Sequence, residues 1–228
     1  MDKLKNKNIE IREYPLELRA ADAEDGNPYF EGTAASYDTE SSVLHEWMDG
    51  EWVEFVEVIA RGAFDAALAD PQADIIFNVD HHDSNMLARF KPSEEIRTLS
   101  LTASQTGLGI RADKPNTTLG NDTFEHVKLG NLRHMSFAFT VDKAGEEWSK
   151  RADGMLVRTI TSFKRIYDVA IVRNPAYNGH NATSINVAQR SGQNFDPAKT
   201  TPNEQTTSTT HPGYGYQYEL LKLKSQSI

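Results

Sequence analysis

The stretch Leu129–Lys143, LGNLRHMSFAFTVDK, decides how the fold is read. Met135, Phe137, Phe139 and Val141 alternate with Ser136, Ala138 and Thr140, the period of two expected of a strand with one buried face. The apolar face is large and aromatic. The other face is small and carries a serine near its start. Two readings follow: a plain polar side of a sheet, or a face kept clear so that something can approach the hydroxyl.

Working outward, other segments repeat the strand pattern. IEIREYPLEL and WVEFVEVIA alternate, YFEGTAASY is a strand with a small-residue bend, and ADIIFNV is a short apolar run of the buried-strand kind. IRTLSLTASQTGLGIRAD reads as two strands around a Gln-Thr-Gly turn, and LVRTITSFKRIYDVAIV completes the set. Two short helices interrupt them. In ARGAFDAALADP, Phe64 and Leu68 lie one turn apart and Pro71 stops the helix. In NDTFEHVKLGN, Asp122 is placed as N-cap with Glu125 at the third helical position, and Gly130 ends the helix just before the serine strand. The pattern predicts a mainly β fold with a few short helices, in a single barrel-like domain over residues 9–188. Residues 1–8 are expected to be a flexible start. The Thr-, Pro-, Asn- and Gln-rich segment 189–228 is expected to be a disordered tail, because it has too little apolar surface to offset chain entropy.

Composition narrows the chemistry. The chain has 24 basic and 33 acidic residues, a net charge of -9, which disfavours binding to a nucleic-acid backbone. With no cysteine there is no thiol nucleophile, thiolate metal site or disulfide. The N-terminus lacks the apolar core of a signal peptide, and no run reaches membrane-span length, so a soluble, non-secreted protein is expected. Gly107–Ala112, GLGIRA, matches a dinucleotide fingerprint only on paper, because Pro115 follows and the required strand-to-helix context is missing. Ser136 lacks the flanking glycines of a nucleophile elbow, which argues against an α/β-hydrolase.

Three polar groups beside strands remain. Asp80, His81, His82 and Asp83 follow a buried-type strand; they read as a loop holding a general base, as metal ligands, or as a solvated turn. Adjacent His81 and His82 would point to opposite sides of an extended chain. Ser136 has small neighbours on its face and a helix end just upstream, but a hydroxyl becomes a useful nucleophile only with a base within reach. Asp168 shares a strand face with Ala170 and Val172, where a carboxylate needs a partner. Orienting an imidazole would supply one; pairing with Arg165 or Arg173 would supply another.

The segments FEGTAASYD, EVIARGAFDAALAD, HHDSNMLAR, GLGIRAD, LGNLRHMSFAFTV and IYDVAIVRNPAY, in this order, resemble the HK97-type prohead proteases of tailed phages, from about Glu17 to Val187. The resemblance implies a cofactor-free serine endopeptidase with a barrel like that of herpesvirus assemblin. It implies action inside the viral procapsid in the host cytoplasm. There the enzyme would cleave scaffold segments of the major capsid protein precursor, and itself. The portal protein and self-association are further expected partnerships; nucleic acid and membrane are not. Carried over by motif, the family's histidine falls on His82, which precedes Asp83, its serine on Ser136 and its acid on Asp168. The chain departs from the family pattern at His81, where asparagine is usual, and at Ala138, where glycine is common. Rival expectations are a non-catalytic assembly chaperone with this fold, and a metal-dependent hydrolase using His81, His82 and Asp83.

Overall fold

A computed structural model describes residues 9–14, 18–22, 27–48, 50–172 and 202–203. The expected flexible start and polar tail lie outside them, apart from Pro202–Asn203, as does Arg173. The described chain is mainly β with short helices, as the alternation predicts, and its strands form three sheets.

The first sheet has the order β1-β11-β14-β6-β7-β8 and holds the site. These strands are β1 Glu10–Tyr14, β6 Ile75–Val79, β7 Met86–Lys91, β8 Ile96–Arg97, β11 His134–Thr140 and β14 Arg165–Val172. The second sheet comprises β2 Leu18–Asp22, β3 Pro28–Ser36, β9 Leu99–Ala103 and β10 Gly107–Asp113. The third comprises β4 Leu44–Met48, β5 Glu51–Ile59, β12 Glu146–Arg151, β13 Leu156–Ile160 and the two-residue β15 Pro202–Asn203. One apolar cluster takes side chains from all three: Phe77, Phe137 and Ile171 from the first, Phe30 and Leu108 from the second, Ile59 and Ile160 from the third.

Several expectations change in detail. The alternating IEIREYPLEL is two strands in different sheets: β1 pairs with β11 and β2 with β3. β11 is buried on both faces, not one. It lies between β1 and β14, and the loop after β6 covers the face away from the core. The helix before it, α2 Thr118–Lys128, starts a turn earlier than the Asp122 cap predicts. Thr117 is the N-cap, its hydroxyl accepting the Gly120 amide at 3.0 Å. Gly120 is required at this helix start: a Cβ there would lie 2.2 Å from the Pro115 carbonyl oxygen. Gly130 ends the helix as expected, in the left-handed region at φ +75°. The other helix, α1, is confined to Asp65–Ala69. No described helix is long and apolar enough to cross a membrane.

Candidate active site

The sheet register arranges the site. Across β11 and β14, Ser136 lies opposite Ala170 and Ala138 opposite Asp168. Direct cross-strand partners share a face, so these four side chains form a square with Ser136 and Asp168 on one diagonal and two alanines on the other. Diagonal side chains in such a pair stand about 7–8 Å apart, too far for a serine and a carboxylate to touch. An imidazole bonded at both nitrogens spans the gap. His81 does so: its Nε2 is 2.7 Å from Ser136 Oγ, and its Nδ1 is 2.7 Å from Asp168 Oδ1. The alanines leave room for the ring. The small face read in the sequence is the seat of this histidine.

A bulge aligns the acid. The register shifts between Ala138 and Phe139, so that Phe139 faces Ile166 and Tyr167 is skipped. Without the shift, Ile166 and Asp168 would share a face. With it, Ile166 joins the core beside Phe139 while Asp168 turns to the other side, a common use of bulges next to functional groups. Asp168 is almost wholly buried, at 1 % exposed, so its bond to His81 is made out of solvent.

His81 reaches this seat because the chain reverses sharply after β6. Asp80 and His81 both have positive φ, 55° and 58°, and the His82 amide donates to the Val79 carbonyl at 3.2 Å. Two successive left-handed residues closed by such a bond make a turn of the I′ kind. The left-handed region costs a non-glycine residue on the order of 1 kcal/mol, although Asp and His tolerate it better than most. The Asp80 amide also donates to the Ile171 carbonyl at 2.9 Å, tying the turn to β14. Strained backbone of this type clusters at functional sites, where the surroundings hold it in place.

A match to the model of the caudovirus prohead serine proteases extends over residues 14–197. The chain belongs to that family. Among solved structures, this prohead protease chain is similar to the capsid assembly protease of bacteriophage T4, with 10% sequence identity and a TM-score of 0.43. That similarity covers 73% of this chain and 98% of the T4 protein. No match emerges from comparison with curated proteins.

Of the three residues expected to act in this protease, the structure brings together Ser136 and Asp168 but not His82. The turn carries the His82 ring past the sheet and into solvent, while His81 points back over it. An extended loop would have left that choice open; the two left-handed residues make it. Arg165, the alternative partner that the sequence offers Asp168, is exposed, with its guanidinium 5.2 Å from the centre of the Tyr167 ring. The described residues contain no cluster of three or more His, Asp or Glu able to hold a metal ion.

Sequence reading also missed the role of β1. Glu13 lies opposite Ser136 in the β1–β11 register, and the Ser136 hydroxyl donates to the backbone carbonyl of Arg12 at 2.9 Å. On the other side of β1, the Arg12 guanidinium donates to both Glu57 oxygens at 2.9 Å. Arg158, fully buried, bonds Glu57, Glu10 and Glu146. Burial opposes the charge of each arginine, but the surrounding glutamates outweigh it and hold both guanidinium groups ionised more firmly than in water. The sequence signal was faint: Arg12 sits at an alternating position inside a strand, where a charge needs partners.

Proposed function

We propose that this chain is a serine endopeptidase of procapsid maturation, with Ser136 as nucleophile, His81 as general base and acid, and Asp168 as the group that orients the imidazole. The observation that carries this reading is the bridge from Ser136 Oγ through His81 to Asp168 Oδ1, with both hydrogen bonds 2.7 Å long. The family assignment supplies the reaction class.

In the proposed mechanism, His81 Nε2 takes the Ser136 hydroxyl proton as Oγ attacks a peptide carbonyl. The acyl-enzyme forms, and the imidazolium returns the proton to the leaving amine. A water molecule then gives its proton to His81 and attacks the ester, and Ser136 regains its hydrogen. Asp168, buried and bonded at Nδ1, holds the tautomer that leaves Nε2 free to accept. The substrates in this reading are the scaffold segments of the major capsid protein precursor and the chain itself, with the portal protein and further copies of the chain as partners inside the procapsid. An assemblin-like barrel belongs to the same reading, supported by the apolar cluster to which all three sheets contribute.

The test is coexpression of the capsid precursor with the wild-type chain or with Ser136→Ala. Cleavage by the wild type and none by the variant is expected. Unchanged processing by Ser136→Ala would remove the assignment. Mass spectrometry of the two enzyme samples tests self-cleavage, because identical termini would exclude it.

A further inference from the structure

Attack by Ser136 needs three things: the hydroxyl proton directed at His81, an open side from which a carbonyl can approach, and a place for the incoming peptide. β1 bears on all three. A serine hydroxyl has one proton. In the structure it has two acceptors within reach, the Arg12 carbonyl at 2.9 Å and His81 Nε2 at 2.7 Å, so β1 competes with the base for it. Acyl transfer starts only from the hydroxyl directed at His81. Ser136 is also completely buried, at 0% exposed, so a peptide carbonyl has no path to Oγ while β1 stays in place. Finally, β1 fills the antiparallel position alongside β11 from Glu10 to Tyr14. An extended peptide would pair with that same strand edge by strand addition.

We propose that β1 is a built-in plug. It occupies the place beside β11 that a substrate strand needs, and proteolysis begins only after β1 has moved away. This inference rests on Ser136 being the nucleophile. The family match starts at residue 14, so the plug residues Glu10–Glu13 precede the segment the family shares. They are held by a buried ion-pair network, the Arg12 guanidinium on Glu57 of β5 and the Glu10 carboxylate on Arg158 of β13. Such a fastening makes release switchable. Loosening that network weakens the hold on the strand without dismantling the bridge of Ser136, His81 and Asp168.

Labelling of Ser136 by a fluorophosphonate reports whether the hydroxyl is accessible and activated. Arg12→Ala in the full chain loosens the fastening and is expected to speed labelling at least tenfold over wild type. A second variant locks the strand. Ile11 lies opposite Ala138, a spacing that suits a disulfide, and the chain has no cysteine of its own to interfere. Ile11→Cys with Ala138→Cys should label at least tenfold more slowly oxidised than reduced. Circular dichroism checks that each form is folded. If Arg12→Ala unfolds, the oxidised and reduced forms of the locked variant decide the matter alone. Equal rates in the two forms, with labelling present, overturn the plug and leave the nucleophile standing. Absence of labelling in every form removes the nucleophile assignment, and the plug falls with it.

Discussion

Replacing His81 and His82 separately with alanine distinguishes them by effects of very different size. His81 makes both bonds of the bridge, so in the proposed mechanism His81→Ala leaves Ser136 without a base. Removing a member of such a unit typically lowers kcat by about 10⁴–10⁶-fold, or about 5–8 kcal/mol of transition-state stabilisation. The same change takes one hydrogen bond from the buried Asp168, at a cost of about 1–3 kcal/mol in stability. For a domain of this size that lowers Tm by roughly 2–12 °C. His82 projects its ring into solvent, and its described hydrogen bonds use backbone atoms: its amide to Val79 and its carbonyl to Asn85. His82→Ala keeps both, and exposed substitutions of this type change stability by about 0.5 kcal/mol or less. Its kcat should stay within about threefold of wild type. The assay is the initial rate of precursor cleavage by purified variants, with thermal melts in parallel. A His81→Ala enzyme keeping more than a tenth of its activity, or a His82→Ala enzyme losing as much as His81→Ala, would refute the reasoning.

Three further outcomes are expected. Ala170→Val places a branched side chain where the His81 ring rests, so precursor cleavage should fall by at least tenfold while overpacking costs about 1–3 kcal/mol by chemical denaturation. Arg158→Met leaves Glu57, Glu10 and Glu146 with fewer cationic partners in a buried setting and should cost about 3–5 kcal/mol, read as a lowered denaturation midpoint; replacing Glu57 with Gln in the same chain should recover part of that loss. Burial, with Arg133 adding to it, depresses the His134 pKa. Below its ordinary value of about 6.5 the unfolded chain therefore binds a proton that the folded chain resists. Stability should fall as pH drops from 7 towards 5, and His134→Asn should flatten that decline; denaturant melts at pH 7, 6 and 5 that run parallel for both proteins would contradict it.

The alternation of MSFAFTV and YDVAIV placed Ser136 and Asp168 on faces away from the core, and the small residues around them marked a space. Those features are legible because a strand's side chains follow a fixed period of two, whatever the strand pairs with. The diagonal between Ser136 and Asp168 was not legible, because it depends on the register of β11 against β14 and on the bulge at Tyr167. Nor was β1 as the neighbour of Ser136, since it is 124 residues away along the chain. The N-cap of α2 was misplaced because Asp122 and Thr117 both offer a side-chain oxygen; the close approach of Gly120 to Pro115 fixes the start at Thr117.

The sequence by itself determined a mainly β chain of the prohead protease family, with a serine and an aspartate set on the small faces of two strands. Tertiary structure decided which of two adjacent histidines joins them. Local sequence allows HHD to run extended or to turn back. The pairing of β6 with β14, which draws the Asp80 amide onto the Ile171 carbonyl, and the bonds of His81 to Ser136 and Asp168 hold Asp80 and His81 in the left-handed conformation that brings the imidazole over the two alanines.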